Sequence, residues 1–89
     1  MKTATKVRDL KDYVGIAALY KLSEPLSSYD KQNSYEYVVV SSSAALGVET
    51  YIFGSNESGE VLDWTELPGS LRMVFNHQVV LNQAGYEVN

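Results

Sequence analysis

With 89 residues, 45% of them hydrophobic and 20% charged, the chain is long enough for one small domain and too apolar for an intrinsically disordered segment. The absence of cysteine excludes disulfides, thiol catalysis, and zinc-finger or iron–sulfur ligation. Residues 1–31 carry a net charge of +2 and residues 32–89 carry −6. The acidic half disfavours a nucleic-acid backbone as the partner and favours a protein with a basic surface.

The N-terminal segment indicates where the protein acts. Residues 1–12 contain six charged side chains, and no long apolar segment follows them. This pattern is typical of neither a signal peptide nor a membrane span. We therefore expect a cytoplasmic protein with no membrane partner.

The first predicted element is a short helix. Thr5 is a suitable N-cap residue, and Val7, Leu10 and Val14 recur at the spacing of one helix face. Gly15 interrupts that pattern. We expect the helix to end there; the alternative is a helix that continues through Ala17, Ala18 and Lys21 until Pro25.

The second predicted element is a strand over residues 15–23, in which apolar and polar side chains partly alternate. Pro25 removes a backbone donor, so we expect it to end the pairing and to mark an edge strand. Residues 26–34 are polar and without periodicity. They predict a mobile loop.

The strongest strand signal is Tyr35–Ser43, the densest run of β-branched and aromatic residues in the chain. Both of its faces are apolar in the middle, which predicts an interior strand covered on at least part of both sides. Val48–Ser55 alternates as the next strand. Asn56 to Gly59 is a turn sequence, so Glu60–Trp64 is expected to return as a hairpin partner, with Gly59 at positive φ.

The C-terminal segment allows two interpretations over residues 73–84. Asn76 is a suitable N-cap for a helix of about two turns that Gly85 would end. The alternative is one strand over Met73–Leu81, because the adjacent valines at 79 and 80 favour β-structure. We favour the helix.

These elements predict one α+β domain over residues 1–89. Its sheet would be a three- or four-stranded antiparallel meander centred on Tyr35–Ser43. One or two short helices would pack on one face of this sheet.

Seven segments of the chain carry a resemblance to a known group of proteins: residues 20–26, 37–41, 49–53, 59–64, 67–70, 76–77 and 84–88. In these segments the chain resembles small uncharacterised proteins encoded by tailed bacteriophages. The resemblance implies a phage gene expressed in the host cytoplasm, and small phage proteins of this kind often bind and disable a host factor. The group brings no catalytic residues.

Motifs for catalysis and cofactor binding are missing from the sequence. The six glycines form neither a phosphate-binding loop nor a dinucleotide fingerprint. His77 is the only histidine, and no serine lies in a nucleophile elbow. We expect a protein that is not an enzyme and takes no cofactor, with a small hydrolase using His77 as the weakest alternative.

Four carboxylates within ten residues surround the only tryptophan. They are Glu57, Glu60, Asp63 and Glu66, and Trp64 lies between the last two. Their spacing does not match a calcium-binding loop, so no metal is expected. The plain alternative is a solvated hairpin, but acidic residues around an aromatic anchor also favour recognition of a basic protein.

Seven tyrosines are the one compositional excess, and tyrosine supplies large contact area at binding surfaces. Tyr29 and Tyr35 flank the polar loop, so we expect them to be exposed and to form a second partner-binding candidate. The resulting hypothesis is a small acidic phage accessory protein that binds and inhibits or modulates a host protein. The alternative is a homo-oligomeric structural or virion-associated protein, for which a homodimer is the simplest form.

Overall fold

The computed structural model describes residues 2–11, 13, 15–44 and 47–89. Within these ranges the chain forms seven strands and one helix: β1 (Thr3–Leu10), β2 (Ile16–Ser27), β3 (Ser34–Ser43), β4 (Glu49–Ser55), β5 (Val61–Asp63), β6 (Leu71–Arg72), α1 (His77–Gln83) and β7 (Glu87–Val88). The strands form one sheet in the order β5-β4-β3-β2-β1-β7, and β6 pairs with β4 outside this path. β7 runs parallel to β1, and the other pairs are antiparallel. The predicted α+β class with a three- or four-stranded antiparallel meander is therefore wrong, because the described chain is mostly β and its sheet is mixed and seven-stranded.

Strand β3 lies in the interior of the sheet, between β2 and β4. Val38, Val39 and Val40 are all fully buried. Because side chains alternate along a strand, Val38 and Val40 point to the side that α1 covers and Val39 points to the other side. The prediction of an interior strand over Tyr35–Ser43, covered on at least part of both faces, is confirmed.

The N-terminal segment is a strand, so the predicted helix is wrong. β1 pairs with β2 over most of its length. Its β-branched side chains favour an extended backbone, and the pairing completes the backbone hydrogen bonds of β2, which outweighs the helical spacing of Val7 and Leu10. Val14, the third residue of that spacing, lies outside the described residues.

A β-bulge in β1 explains why its pattern does not alternate. The pairing with β2 shifts by one residue between Lys6 and Arg8. One extra residue inverts which side chains face which side of a sheet. As a result, Ala4 packs on the α1 side and Leu10 on the opposite side, although an even number of positions separates them.

Strand β2 is an interior strand that continues past Pro25, so its predicted edge position and its predicted end are wrong. It pairs with β1 on one side and β3 on the other. The pairing with β3 is interrupted between Lys21 and Leu26, and Pro25 lies in that interruption, where no ladder donor is needed. The Glu24 carbonyl oxygen accepts a hydrogen bond from the Tyr86 hydroxyl at 2.7 Å.

The loop between β2 and β3 comprises residues 28–33, because both strands extend into the segment 26–34 for which a loop is predicted. Asp30 organises this connection. Its carboxylate accepts hydrogen bonds from the Ser28 hydroxyl at 2.6 Å and the Gln32 amide at 3.0 Å. The Ser28 hydrogen bond is the main cause that lowers the pKa of Asp30 from its ordinary value.

The predicted hairpin between β4 and β5 is confirmed. The Asn56 side-chain oxygen accepts from the amides of Ser58 at 3.1 Å and Glu60 at 3.0 Å. Gly59 has φ +91°, the left-handed conformation that favours glycine. The turn therefore has the chemistry that its sequence indicates.

The C-terminal helix is also confirmed, and the alternative strand over Met73–Leu81 is wrong. The Asn76 side chain accepts a hydrogen bond from the Val79 amide at 3.2 Å and caps α1. Gly85 follows the helix with φ +100°. The Glu87 amide then donates to the Lys2 carbonyl at 2.9 Å, which joins β7 to the start of β1.

The sheet separates two cores. The helix-side core lies under α1 and comprises Ala4, Ala18, Tyr20, Leu22, Leu26, Val38, Val40, Ile52, Leu67, Val80, Leu81 and Tyr86. The smaller core on the opposite face, here called the open-face core, comprises Leu10, Ala17, Leu19 and Val39, with Tyr13, Tyr37 and Val61 packed at its border.

The sheet curves over the open-face core. The Arg8 guanidinium, at the far side of the sheet order, donates to the Ser58 carbonyl in the β4–β5 turn. The Tyr13 hydroxyl donates to the Gly59 carbonyl at 2.8 Å. Arg8 and Tyr13 therefore lie against the β4–β5 hairpin and border the surface that carries the candidate site.

Candidate functional site

Four aromatic side chains form a continuous line on the open face of the sheet, and we call them the aromatic row. Tyr51 and Phe53 occupy alternate positions of β4, so both point to this face, and their ring centres are 6.1 Å apart. The Trp64 ring packs edge-on against Phe53 at 5.1 Å. The Tyr13 ring is tilted against Trp64, with the ring centres 5.8 Å apart.

Trp64 is held in place yet remains 62% exposed. It follows the last residue of β5, Asp63, whose carboxylate accepts a hydrogen bond from the Thr65 amide at 2.9 Å. This short turn directs the chain so that Trp64 folds back over Phe53. A large aromatic ring that is fixed by neighbours and open to solvent is typical of a binding surface.

An open groove of about 310 Å³ runs beside Trp64, and we call it the aromatic groove. It is lined by Tyr51, Phe53, Trp64 and Glu66. Glu66 is exposed and forms no hydrogen bond or ion pair with the other described residues. The structure thus brings together two of the predicted site residues, Trp64 and Glu66.

The other predicted carboxylates lie along the same hairpin but outside this groove. Glu57 and Glu60 are exposed on the β4–β5 turn. Glu60 lines a second depression with Arg8 and Tyr13. Arg8, from the basic N-terminal half of the sequence, therefore lies close to the acidic hairpin. The basic and acidic halves of the sequence thus contribute to the same surface.

The two predicted tyrosines have different environments. Tyr29 is 65% exposed and lines a shallow depression of about 180 Å³ with Asp63, so the structure brings it to the acidic hairpin. Tyr35 is half-buried against the helix-side core, where its ring covers Gly54. A Cβ atom at Gly54 would lie 2.5 Å from that ring, so the glycine is required for the contact. The expected exposure of Tyr35 does not hold.

The hydroxyl of Tyr51, one of the groove residues, interacts with two charged side chains, Glu49 and Arg72. Its hydroxyl donates to a Glu49 carboxylate oxygen at 2.6 Å. This hydrogen bond is the main cause that raises the pKa of Tyr51, while Arg72 acts in the opposite direction. The Glu49 carboxylate thus accepts a hydrogen bond from the Tyr51 hydroxyl, and the Arg72 guanidinium lies near that hydroxyl.

Sequence reasoning does not identify Phe53 and Tyr13 as site residues. Phe53 had a local signal, because it lies two positions from Tyr51 in an alternating strand and shares its face. Tyr13 had none, because only the curvature of the sheet brings it to Trp64.

His77 occupies a structural position near the start of α1. Its Nε2 atom lies 2.9 Å from the Ile16 carbonyl oxygen, and its Nδ1 atom lies 3.2 Å from the Tyr20 hydroxyl. A carbonyl only accepts, so Nε2 carries the proton and the neutral Nδ1 accepts from Tyr20. Burial lowers the pKa of His77 from its usual 6.5, although the hydrogen bond to Ile16 acts in the other direction. Both ring nitrogens are engaged, so the hydrolase alternative gains no support here.

Within residues 2–11, 13, 15–44 and 47–89, no group of three or more histidine, aspartate or glutamate side chains is placed to hold a metal ion. The same part of the chain contains no helix long and apolar enough to cross a bilayer. Comparison with protein-family models, with curated proteins and with solved structures finds no match to this chain.

Proposed function

We propose that this chain is a small acidic accessory protein, of the kind that tailed bacteriophages encode, which binds a host protein with a basic surface in the host cytoplasm. It inhibits or modulates that protein by binding rather than by catalysis. The phage context rests on the resemblance of residues 49–53, 59–64 and 84–88 in particular. The binding role rests on the surface of the β4–β5 hairpin.

The exposed position of Trp64 is the observation that carries this proposal. Water contact on a large aromatic ring is unfavourable, and burying the ring against a partner recovers that free energy. Because Phe53 and Tyr13 already restrict the ring, binding loses little side-chain entropy. Such fixed aromatic residues are frequent binding hot spots.

The carboxylates around Trp64 supply the charge complementarity. Glu57, Glu60, Asp63 and Glu66 all lie on or directly after the hairpin. Rim charges of one sign mainly accelerate association with an oppositely charged partner. The partner is therefore expected to present basic side chains around an apolar patch.

The test compares capture of proteins from host lysate by the wild-type chain and by the double variant Glu60→Lys/Asp63→Lys. A specific partner should be captured by the wild type and lost or strongly reduced with the variant. The matched control is Glu24→Lys/Glu87→Lys, which changes the net charge equally but lies near β7, at the other edge of the sheet. Equal loss in both variants would mean that only bulk charge matters and would contradict the proposal.

Kinetics on the captured partner sharpen this test. The association rate should fall as salt rises above about 0.15 M, where the screening length is roughly 8 Å. The dissociation rate should change much less, because it depends on the apolar contact at Trp64. A partner whose association is indifferent to salt and to the double reversal would instead implicate the surface around Tyr29.

Self-association is a second candidate function, which a different surface favours. Met73 is 88% exposed and has φ +67°, an unfavourable conformation for a non-glycine residue. Ile16, Phe75 and Val79 are also exposed at this end of the sheet. The hydrogen bond from the Met73 amide to the Val48 carbonyl at 2.6 Å holds the segment there.

Sedimentation velocity at increasing protein concentration tests this second candidate. A homodimer through this surface should dissociate with Met73→Lys and persist with Leu62→Lys, since Leu62 is an exposed apolar residue on β5. A concentration-independent monomer would remove this candidate and leave the first unaffected.

A further inference from the structure

The aromatic groove combines the two features that select a cation. Three aromatic side chains, Tyr51, Phe53 and Trp64, line it, and Glu66 is its carboxylate. The faces of aromatic rings carry negative potential and attract cations within about 6 Å, and tryptophan does so most strongly. A carboxylate beside such rings adds charge and directional hydrogen-bond acceptors.

Of the two carboxylates near the groove, Glu49 and Glu66, only Glu66 has no hydrogen-bond or ion-pair partner among the described residues. Glu49 already accepts from the Tyr51 hydroxyl, and Arg72 lies close to the same hydroxyl. Glu66 has no comparable partner among the described residues. A cation that enters the groove therefore meets one carboxylate that no described cation balances.

The chemistry of the groove favours a flat cation over a compact one. It is open to solvent on one side and bordered by rings that tilt against each other, with interplanar angles of 62° between Phe53 and Trp64 and 69° between Tyr51 and Phe53. A guanidinium group stacks on an aromatic face and binds a carboxylate through two parallel N–H donors. An ammonium group has the charge but lacks the planar surface.

We infer that the aromatic groove binds an arginine side chain, with the guanidinium stacked on one of the aromatic rings and hydrogen-bonded to Glu66. This inference rests on the proposed function, because it identifies the partner residue that the hairpin surface recognises. In this arrangement Trp64 does not insert into the partner. Instead, an arginine of the partner enters the groove, and Trp64 lines the groove beside it.

Trp64 provides a local reporter, because it is the only tryptophan in the chain. The full chain is titrated with N-acetyl-arginine N-methylamide while the tryptophan fluorescence is recorded. N-acetyl-citrulline N-methylamide, at matched ionic strength, is the control ligand, because it has nearly the same shape and no charge. We expect saturable quenching with the arginine compound and at least a fivefold smaller response with citrulline.

Two variants of exposed carboxylates test whether the arginine compound binds at Glu66. Glu66→Gln should weaken binding of the arginine compound at least fivefold. Glu24→Gln, at an exposed carboxylate outside both the groove and the hairpin, should leave it within twofold. Equal binding of citrulline, or unchanged binding in Glu66→Gln, would overturn the inference.

This experiment separates the inference from the proposed function. If the arginine compound does not bind but a partner is still captured through Glu60 and Asp63, the inference is wrong and the proposed function stands. If the arginine compound binds in a Glu66-dependent way but no captured protein depends on the hairpin charges, the groove is a cation site and the proposed function is wrong.

Discussion

The two faces of the sheet bury their side chains to very different extents. On the face under α1, the helix and Tyr86 close a core of twelve buried side chains of the described chain. On the open face, the buried hydrophobic core of the described chain comprises Leu10, Ala17, Leu19 and Val39, and the aromatic row continues from this small core into solvent. The two faces belong to the same strands and differ in what covers them.

Because of this difference, the helix side of the sheet contributes most of the stability, and the open face is the surface available for recognition. Hydrophobic stabilisation follows the apolar area removed from water, so the helix-side core contributes most of it. The open face keeps aromatic area in contact with water, which a partner can cover. Substitutions on the helix side should therefore mainly lower stability, and substitutions on the open face should mainly weaken binding.

The largest expected effect is on the helix side. Ile52→Ala should reduce the free energy of unfolding by about 3–4 kcal/mol, because Ile52 is fully buried in the larger core and its truncation leaves a cavity. Val39→Ala, on the adjacent strand but in the smaller core, should cost about 2 kcal/mol. Urea unfolding measures both, and Leu62→Ala, an exposed control, should change stability by less than about 0.5 kcal/mol. A larger loss from Val39→Ala than from Ile52→Ala would reverse the assignment of the two cores.

The next effect is at the hairpin that borders the open face. Gly59→Val should destabilise by about 1–3 kcal/mol, because Gly59 has φ +91° and an added Cβ would lie 3.1 Å from the Leu10 side chain. Ser58→Ala should cost less than about 0.5 kcal/mol, since its hydroxyl contact is exposed. Equal costs for the two variants, measured by thermal unfolding, would contradict the geometry of this turn.

Trp64→Ala should separate binding from folding. Its exposed ring makes an edge-on contact with Phe53 and a tilted contact with Tyr13, so the loss of stability should stay below about 1.5 kcal/mol. Partner capture should nevertheless be lost. A destabilisation comparable with that of Ile52→Ala would place Trp64 in a core and remove it from the binding surface.

The smallest effect is a dependence of stability on pH. Because the pKa of His77 is lowered in the folded protein, the unfolded chain binds the proton more readily, and stability should fall as the pH drops below about 6.5. His77→Gln removes this titration while keeping an amide donor for the Ile16 carbonyl. Thermal unfolding between about pH 7.5 and 5.5 should therefore show a weaker pH dependence in the variant. Asp30 does not interfere, since its lowered pKa confines its effect to more acidic solutions.

Local signals in the sequence predict several elements correctly. The run of β-branched residues around Val39 identifies the interior strand. Asn56 and Gly59 identify the hairpin, and Asn76 and Gly85 identify the ends of α1. Each of these signals acts through hydrogen bonds or backbone angles within a few residues, so no distant contact is needed to detect it.

The errors come from segments whose structure depends on distant partners. The N-terminal segment is a strand because β2 is available for pairing, and the bulge between Lys6 and Arg8 removes the alternation that would have revealed it. The extension of β2 past Pro25 depends on an interruption of its pairing with β3. Such pairings override weak local propensities.

For the candidate site, local sequence signals are enough to predict the hairpin and the acidic residues around Trp64, because turn chemistry and charge are local properties. The contacts of Phe53 and Tyr13 with Trp64, the place of Glu66 in the same groove and the half-buried position of Tyr35 over Gly54 arise only in the folded chain. The physical reason is that these contacts depend on sheet register and curvature. Register and curvature are set by the packing of whole strands, which a pattern of neighbouring residues does not specify.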